Sequence, residues 1–248
     1  MAERKQQTHI FSDGSAIGIE RDGNHQYNFA GSKVKYASTT GIASHIDPGG
    51  DGLNYWSGEM ALKHNDRAGF AIERNIAAER GPKLHEAIER YIEHGTVDET
   101  DDIFIMWLRN VGNNHRWSAA EKMVINVETG SGGTCDALSI VYYDPWEVMI
   151  WDWKTKTSEA SYLKYRPYVK DHAQIANYAK AFLNMESAYN VNQETAKIAY
   201  ICTDTGNVFI EDVDIASAYE VFKHAAQLYR SSKELSREYK KEQKEKKL

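Results

Sequence analysis

The N-terminal part of the chain alternates short β-prone runs with turn-forming pairs. The runs are Thr8–Phe11, Ala16–Glu20 and Gln26–Phe29, and the pairs Asp13-Gly14 and Asp22-Gly23 separate them. An Asp-Gly pair between β-prone runs is typical of a tight hairpin turn. The pattern therefore predicts β-hairpins at this end of the chain.

A mainly helical pattern follows over residues 53–94. Within it, the pair Gly81-Pro82 predicts a new helix start, because proline is favoured in the first turn of a helix. After that pair, Leu84, Ile88 and Ile92 recur every four residues. This is the spacing of one helical face, so we expect a helix that packs on a core.

The spacing of the apolar residues changes from a helical pattern to a strand pattern beyond an acidic loop at residues 98–102 and a short apolar stretch at residues 103–108. Strands are predicted at Met123–Val127, Thr134–Tyr143, Glu147–Thr155, Lys197–Thr203 and Val208–Val213. Helices are predicted at Tyr168–Met185 and from Ile215 to the end. From residue 81 the order is helix, three strands, helix and strand, which favours an α/β fold of the α+β kind.

The composition is typical of a folded globular protein. The chain has 248 residues, of which 42% are apolar and 27% are charged, and it contains no apolar run long enough to cross a membrane. We expect one large domain with three parts. These are a hairpin and helical elaboration at residues 1–80, a core at residues 81–214, and a C-terminal helix with a Lys- and Glu-rich tail at residues 215–248.

Charge and cysteine content narrow the function classes. The chain has 30 Lys and Arg against 36 Asp and Glu, a formal net charge of −6. This balance argues against indiscriminate coating of nucleic acid, although an acidic enzyme can bind DNA through cations and a local basic patch. Cys135 and Cys202 are too few for a disulfide framework or a four-cysteine cluster. Because the start of the chain has no apolar secretion segment and contains Glu3 and Asp13, we expect a cytoplasmic location, in a bacterial or phage-infected cell.

The segment from residue 147 to residue 155 places charge on an apolar strand face. Residues two apart in a strand share a face, so Val148 and Ile150 are followed on theirs by Asp152 and Lys154. A buried charge is costly without a partner, so these two groups should meet a partner, a metal ion or solvent. The alternative is a salt-bridged strand end at a sheet edge.

A second carboxylate follows two glycines in the preceding predicted strand. A hairpin through Asp144-Pro145 would bring Asp136 beside Asp152. Two converging carboxylates repel each other unless a cation binds between them, and their oxygens suit Mg²⁺ or Mn²⁺. Without that convergence, Asp136 is an ordinary residue at a turn-to-strand boundary.

Two predicted helices carry polar pairs at a spacing of one turn. His85 and Glu89 share one helix face, and Gln174 and Tyr178 share a face of another helix. Taken alone, the histidine is typical of a surface or core position. Likewise, the Gln174 and Tyr178 pair alone is typical of an amphipathic border.

Together, four short motifs resemble those of the PD-(D/E)XK nuclease superfamily, in its RecB-like exonuclease branch. They are Gly81-Pro-Lys-Leu-His85, Gly133-Thr-Cys-Asp136, Asp152-Trp-Lys154-Thr155 and Gln174-Ile-Ala-Asn-Tyr178, in the family's order. The stretch from residue 107 to residue 152 looks like phage-encoded and mitochondrial genome-maintenance exonucleases. The resemblance spans residues 81 to about 203 and implies an αβββαβ core with a mixed central sheet flanked by helices. Residues 1–80 lie outside it and are interpreted as a clamp over the substrate.

The resemblance also implies a metal site. Asp136 and Asp152 would bind Mg²⁺ or Mn²⁺, with His85 and the backbone carbonyl of Trp153 as further ligands. Some RecB-like nucleases hold an iron–sulfur cluster on four cysteines, but this chain has two cysteines, so no such cluster is expected.

Three further motif residues receive roles from the resemblance. Lys154 would orient or deprotonate the attacking water and neutralise charge on the phosphate. Gln174 and Tyr178 would contact the DNA backbone or position Lys154 and the water. Glu121 and Glu89 are weaker candidates for side chains that face the same cleft.

The function that the resemblance implies is metal-dependent hydrolysis of DNA from its ends, in replication, recombination or repair. DNA is the expected partner, together with a recombination or replication protein, and no membrane is involved. A structure-specific endonuclease on the same core is one alternative. The others are a catalytically inactive DNA-binding protein and an α+β protein whose aromatic residues serve only core and interface.

Overall fold

The computed structural model describes residues 5–10, 15–46, 60–63, 65–66, 68–143, 146–164, 166–185 and 189–245. Its strands are β1 (Lys5–Ile10), β2 (Ala16–Arg21), β3 (Tyr27–Phe29), β4 (Ala37–Ser38), β5 (Trp117–Asn126), β6 (Ser131–Tyr143), β7 (Trp146–Lys156), β8 (Thr195–Cys202) and β9 (Val208–Asp214). Its principal helices are α1 (Thr39–Ala43), α2 (Gly69–His94), α3 (Asp102–Asn110), α4 (Glu159–Lys164), α5 (Val169–Asn184) and α6 (Ile215–Glu245).

The three N-terminal strands form an antiparallel sheet of their own, in the order β1-β2-β3. The predicted turn at Asp22-Gly23 is confirmed. It is stabilised by the Asp22 side chain, which accepts hydrogen bonds of 3.0 Å from the backbone amides of Asn24 and Gln26. The predicted turn at Asp13-Gly14 lies outside the described residues.

The central sheet contains six strands. β5, β6, β7, β8 and β9 lie side by side, and the short β4 pairs in parallel with the first residues of β6. The β7–β8 pair is parallel, whereas β5–β6, β6–β7 and β8–β9 are antiparallel. The mixed central sheet is therefore confirmed. Because β7 lies between β6 and β8, the alternative that places Asp152 and Lys154 at a sheet edge is wrong.

Side chains alternate along β7 between two cores. Val148 and Ile150 are buried in a core with α1, α5 and α6, whereas Met149, Trp151 and Trp153 are buried in a core with α2 and α3. This is the period of two that a strand requires when both of its faces are covered. The helices thus flank the sheet as predicted, and β7 is buried on both faces.

The helical region before residue 94 differs from the sequence prediction. The predicted helix start at Gly81-Pro82 is wrong, because α2 is continuous from residue 69 to residue 94 and contains Pro82 in its interior. Proline has a backbone φ close to that of a helix and removes a single N–H donor, so the other hydrogen bonds can keep the helix intact.

The apolar stretch after the acidic loop is a helix, α3, which the sequence pattern did not reveal. Its N-terminus is capped by Asp101, whose Oδ1 accepts hydrogen bonds from the amides of Ile103 at 3.0 Å and Phe104 at 3.1 Å. α3 buries Phe104 and Trp107 against α2 and the sheet. The helix is short, so packing on this core contributes more to its stability than its own propensity.

Candidate metal and active site

β6 and β7 diverge at the two predicted aspartates. The antiparallel pairing of these strands ends at Ala137 opposite Trp151, and Asp136 and Asp152 are the next residues on each strand. Just beyond the last pair, the backbone amide of Trp153 donates a hydrogen bond of 2.6 Å to Oδ2 of Asp136. The hairpin therefore brings Asp136 and Asp152 to the same opening between the strands.

Asp152 holds a buried carboxylate at this opening. The residue is 1% exposed, and its Oδ2 forms an ion pair with Nζ of Lys154. Burial raises the pKa of Asp152 to about 7, which Lys154 opposes and the charge of Asp136 reinforces. A buried charge is costly without a partner, and the ammonium of Lys154 provides that partner here.

Lys154 is the positive group of the site. Burial alone would lower the pKa of Lys154, but the charges of Asp152 and Asp136 outweigh that effect and raise the pKa above its ordinary value. The Lys154 side chain as a whole is 24% exposed, and its ammonium lies against the Asp152 carboxylate. This arrangement matches the predicted strand face, on which Asp152 and Lys154 are two residues apart.

α2 supplies His85 to the same opening. Its Nδ1 lies 3.5 Å from Oδ1 of Asp136. Burial lowers the pKa of His85, but the charge of Asp136 outweighs this and raises the pKa to about 9. Burial likewise raises the pKa of Asp136, and His85 outweighs it, so that the pKa falls below its usual value. The structure thus brings the predicted helix residue against the predicted strand residue.

Glu121 on β5 joins this cluster, although the sequence alone ranks it below the others. One ligand atom each from His85, Glu121 and Asp136 lies within 4.8 Å of the other two. The backbone φ of Glu121 is 48°, in the left-handed region that residues other than glycine rarely occupy. Burial, reinforced by the charges of Asp136 and Glu89, raises the pKa of Glu121 to about 7. No sequence pattern marks this residue, because its place depends on a local departure from strand geometry.

An open groove of about 530 Å³ leads to the cluster. Its walls come from β1, α2 and β5, and its lining residues are Lys5, Gly81, Pro82, His85, Glu86, Glu89 and Glu121. The volume is in the range of ligand-binding clefts. The N-terminal sheet therefore contributes to the access path, in addition to the motif residues of α2.

Gln174 and Tyr178 on α5 are buried, at 8% and 2% exposed. Gln174 Nε2 donates a hydrogen bond of 2.9 Å to the Tyr178 hydroxyl. The Tyr178 ring packs directly on β6, since a Cβ added to Gly133 would lie 2.3 Å from its Cε1 atom. Their burial leaves little surface for contact with DNA, so the geometry favours a positioning role for both residues.

We expect Gly133→Ala to destabilise the protein, because the added methyl group has no room beside the Tyr178 ring. Overpacking of this kind costs about 1–3 kcal/mol, which would lower Tm by several degrees in a thermal unfolding experiment. Gly41→Ala in α1 is the matched control. Its new Cβ would lie 3.7 Å from Cβ of Ser38, an ordinary contact, and alanine is the better helix former. Equal melting temperatures for the two variants would contradict the close packing of Tyr178.

Comparisons with known proteins leave the family open. No family model and no curated protein matches the chain significantly. Among solved structures, the one described as the crystal structure of SSO0001 is similar at 15% identity and a TM-score of 0.37, over 77% of this chain and 74% of that one. Likeness at this level defines neither a family nor an activity. Across the part of the chain that the structure describes, no helix has the length and apolar character to span a membrane.

Proposed function

We propose that this chain is a metal-dependent deoxyribonuclease of the PD-(D/E)XK type, an exonuclease that hydrolyses phosphodiester bonds from DNA ends. One observation carries the proposal: two carboxylates, an ammonium and an imidazole converge where β6 and β7 diverge. The residues are Asp136, Asp152, Lys154 and His85. Titratable groups with strongly perturbed pKa values that share a cleft are typical of functional sites.

The donor set fits a hard divalent cation. Carboxylate oxygens are the ligands that Mg²⁺ and Mn²⁺ prefer, and Asp136 and the buried Asp152 bring two carboxylates to this opening. Asp136, Asp152 and His85 would hold the ion, with the carbonyl of Trp153 as a further ligand. When bound, the cation would supply Lewis-acid stabilisation of the phosphate and lower the pKa of a coordinated water.

Lys154 would perform the second part of the chemistry. Its ammonium would donate a hydrogen bond to a phosphate oxygen or to the attacking water, close to the point where negative charge grows in the transition state. The water oxygen forms a new bond to phosphorus as one ester P–O bond breaks, and the proton that the water loses balances the one that the leaving oxygen gains. Gln174 and Tyr178 would act indirectly, by holding α5 against β6.

The Gln-x-x-x-Tyr helix of the resemblance favours attack from DNA ends over internal cutting. Two other functions remain distinct alternatives on the same core: an endonuclease, and a DNA-binding protein without activity. The presence of Asp136, Asp152 and Lys154 together counts against an inactive protein, because DNA binding alone does not require two buried carboxylates.

The test is the cleavage of end-labelled linear DNA, single- and double-stranded, beside covalently closed circles. We expect loss of linear DNA in Mg²⁺ or Mn²⁺, no loss in EDTA, and intact circles under all conditions. Cut circles would replace the exonuclease with the endonuclease. Binding of DNA without any cleavage in either metal would contradict the proposed activity altogether.

A further inference from the structure

The side chain of Gln7 on β1 joins the N-terminal sheet to the backbone of the site. Gln7 Nε2 donates a hydrogen bond of 3.2 Å to the backbone carbonyl of Glu121, and its Oε1 accepts one of 2.7 Å from the amide of Met123. A single side chain thus bonds to the backbone of β5 on both sides of Lys122. The positions are 114 and 116 residues apart in the chain, so this contact depends wholly on the tertiary fold.

Those bonds lie at and just after a residue of β5 that departs from strand geometry. Glu121 has a φ of 48°, whereas its neighbours on both sides keep regular pairs with β6. A left-handed residue other than glycine persists where the surrounding structure holds it. Gln7 provides part of that restraint, and the result is a Glu121 carboxylate that lies with His85 and Asp136 in one cluster.

We propose that β1 completes the cation site: Gln7 is a positioning residue that holds Glu121 as an additional oxygen ligand beside His85 and Asp136. The donor atoms of these three residues already lie within 4.8 Å of one another. The carboxylate of Asp152, which is 1% exposed and ion-paired with Lys154, lies at the same opening and adds to its negative charge. This inference rests on the metal site of the proposed nuclease and gives the N-terminal sheet a part in it.

The test measures Mn²⁺ binding to the full chain by titration calorimetry, without DNA. Loss of a group that orients a metal ligand typically weakens metal affinity by about 10–100-fold, so we expect at least about tenfold weaker binding in Gln7→Ala. Glu121→Gly should weaken binding to a similar or greater extent. Glycine adopts a positive φ without strain, so this variant keeps the fold while it removes the carboxylate. Thr8→Ala, an exposed neighbour on β1, is the control and should bind Mn²⁺ as the wild type does.

Thermal unfolding of the same variants separates positioning from simple stability. A Gln7→Ala variant with a lower Tm but unchanged Mn²⁺ affinity would overturn the positioning role. Unchanged Mn²⁺ affinity in Glu121→Gly, or a wild type that does not bind millimolar Mn²⁺, would overturn the ligand assignment. The proposed nuclease activity is tested separately. Mn²⁺ binding that depends on Glu121, without cleavage of any DNA, would support the metal site and contradict the nuclease activity.

Discussion

Asp152→Asn is expected to abolish metal-dependent cleavage of linear DNA. The substitution keeps the shape of the side chain but removes the charge of a carboxylate that is buried and ion-paired with Lys154. A metal ion acting on a phosphate contributes several kcal/mol to transition-state stabilisation, and each 1.36 kcal/mol changes the rate tenfold, so we expect a loss of about 10³-fold or more. The measurement is the initial rate of release of end label at saturating Mg²⁺.

Asp212→Asn is the matched control for this prediction. Asp212 also forms an ion pair with a lysine, Lys197, but its side chain is 67% exposed on β9. Exposed ion pairs contribute little to stability, so this variant should cleave DNA at the rate of the wild type. A folded Asp152→Asn protein that retains more than about a tenth of the wild-type rate would contradict the role of Asp152. Such a small decrease in rate corresponds to a loss of less than about 1.4 kcal/mol of transition-state stabilisation.

The largest loss of stability is expected from Asn177, which lies between Gln174 and Tyr178 on α5 and is 1% exposed. Its side chain makes four hydrogen bonds of 2.9–3.1 Å that join α5 to three other parts of the chain. The partners are Asn126, Thr129, Thr39 and Ser131. This network holds α5 and the start of β6 together, next to the glycine on which Tyr178 packs.

Asn177→Leu should therefore destabilise the protein by about 3 kcal/mol or more, because each buried partner left without a hydrogen bond costs about 1–3 kcal/mol. For a chain of this size, 1 kcal/mol corresponds to about 2–4 °C in Tm, so thermal unfolding should show a decrease of roughly 6–12 °C. Asn184→Ala is the control. Asn184 is exposed and donates one bond of 3.0 Å to the same Asn126. A similar decrease in both variants would contradict the central place of Asn177.

The strand pattern around the site could be predicted from the sequence because it depends on local rules. Side chains alternate with a period of two in any strand, so Asp152 and Lys154 had to share a face once β7 was a strand. A hairpin between neighbouring strands then brought Asp136 and Asp152 to matching positions. The Gln174 and Tyr178 pair followed in the same way from the helical period, and their hydrogen bond confirms the shared face.

Contacts between distant segments escaped prediction. The left-handed backbone of Glu121 has no local sequence cause such as glycine, and the Gln7 side chain that bonds to it comes from the other end of the chain. α2 continues through Pro82, and α3 forms where the pattern showed only an apolar stretch. In both helices, burial against the sheet decides the structure, and burial cannot be known before the partner surface is in place.

The sequence by itself determined most strands of the central sheet and the polar residues on their faces, because these patterns depend on residues a few positions apart. The short β4 and residues 117–122 of β5 were not predicted. Only the tertiary structure decided that β6 and β7 diverge at the aspartates and that α2 places His85 beside Asp136. The tertiary structure also decided that Gln7 of β1 forms hydrogen bonds with the backbone of β5. The physical reason is that these contacts depend on how separate elements share buried surface and hydrogen bonds, which no local period encodes.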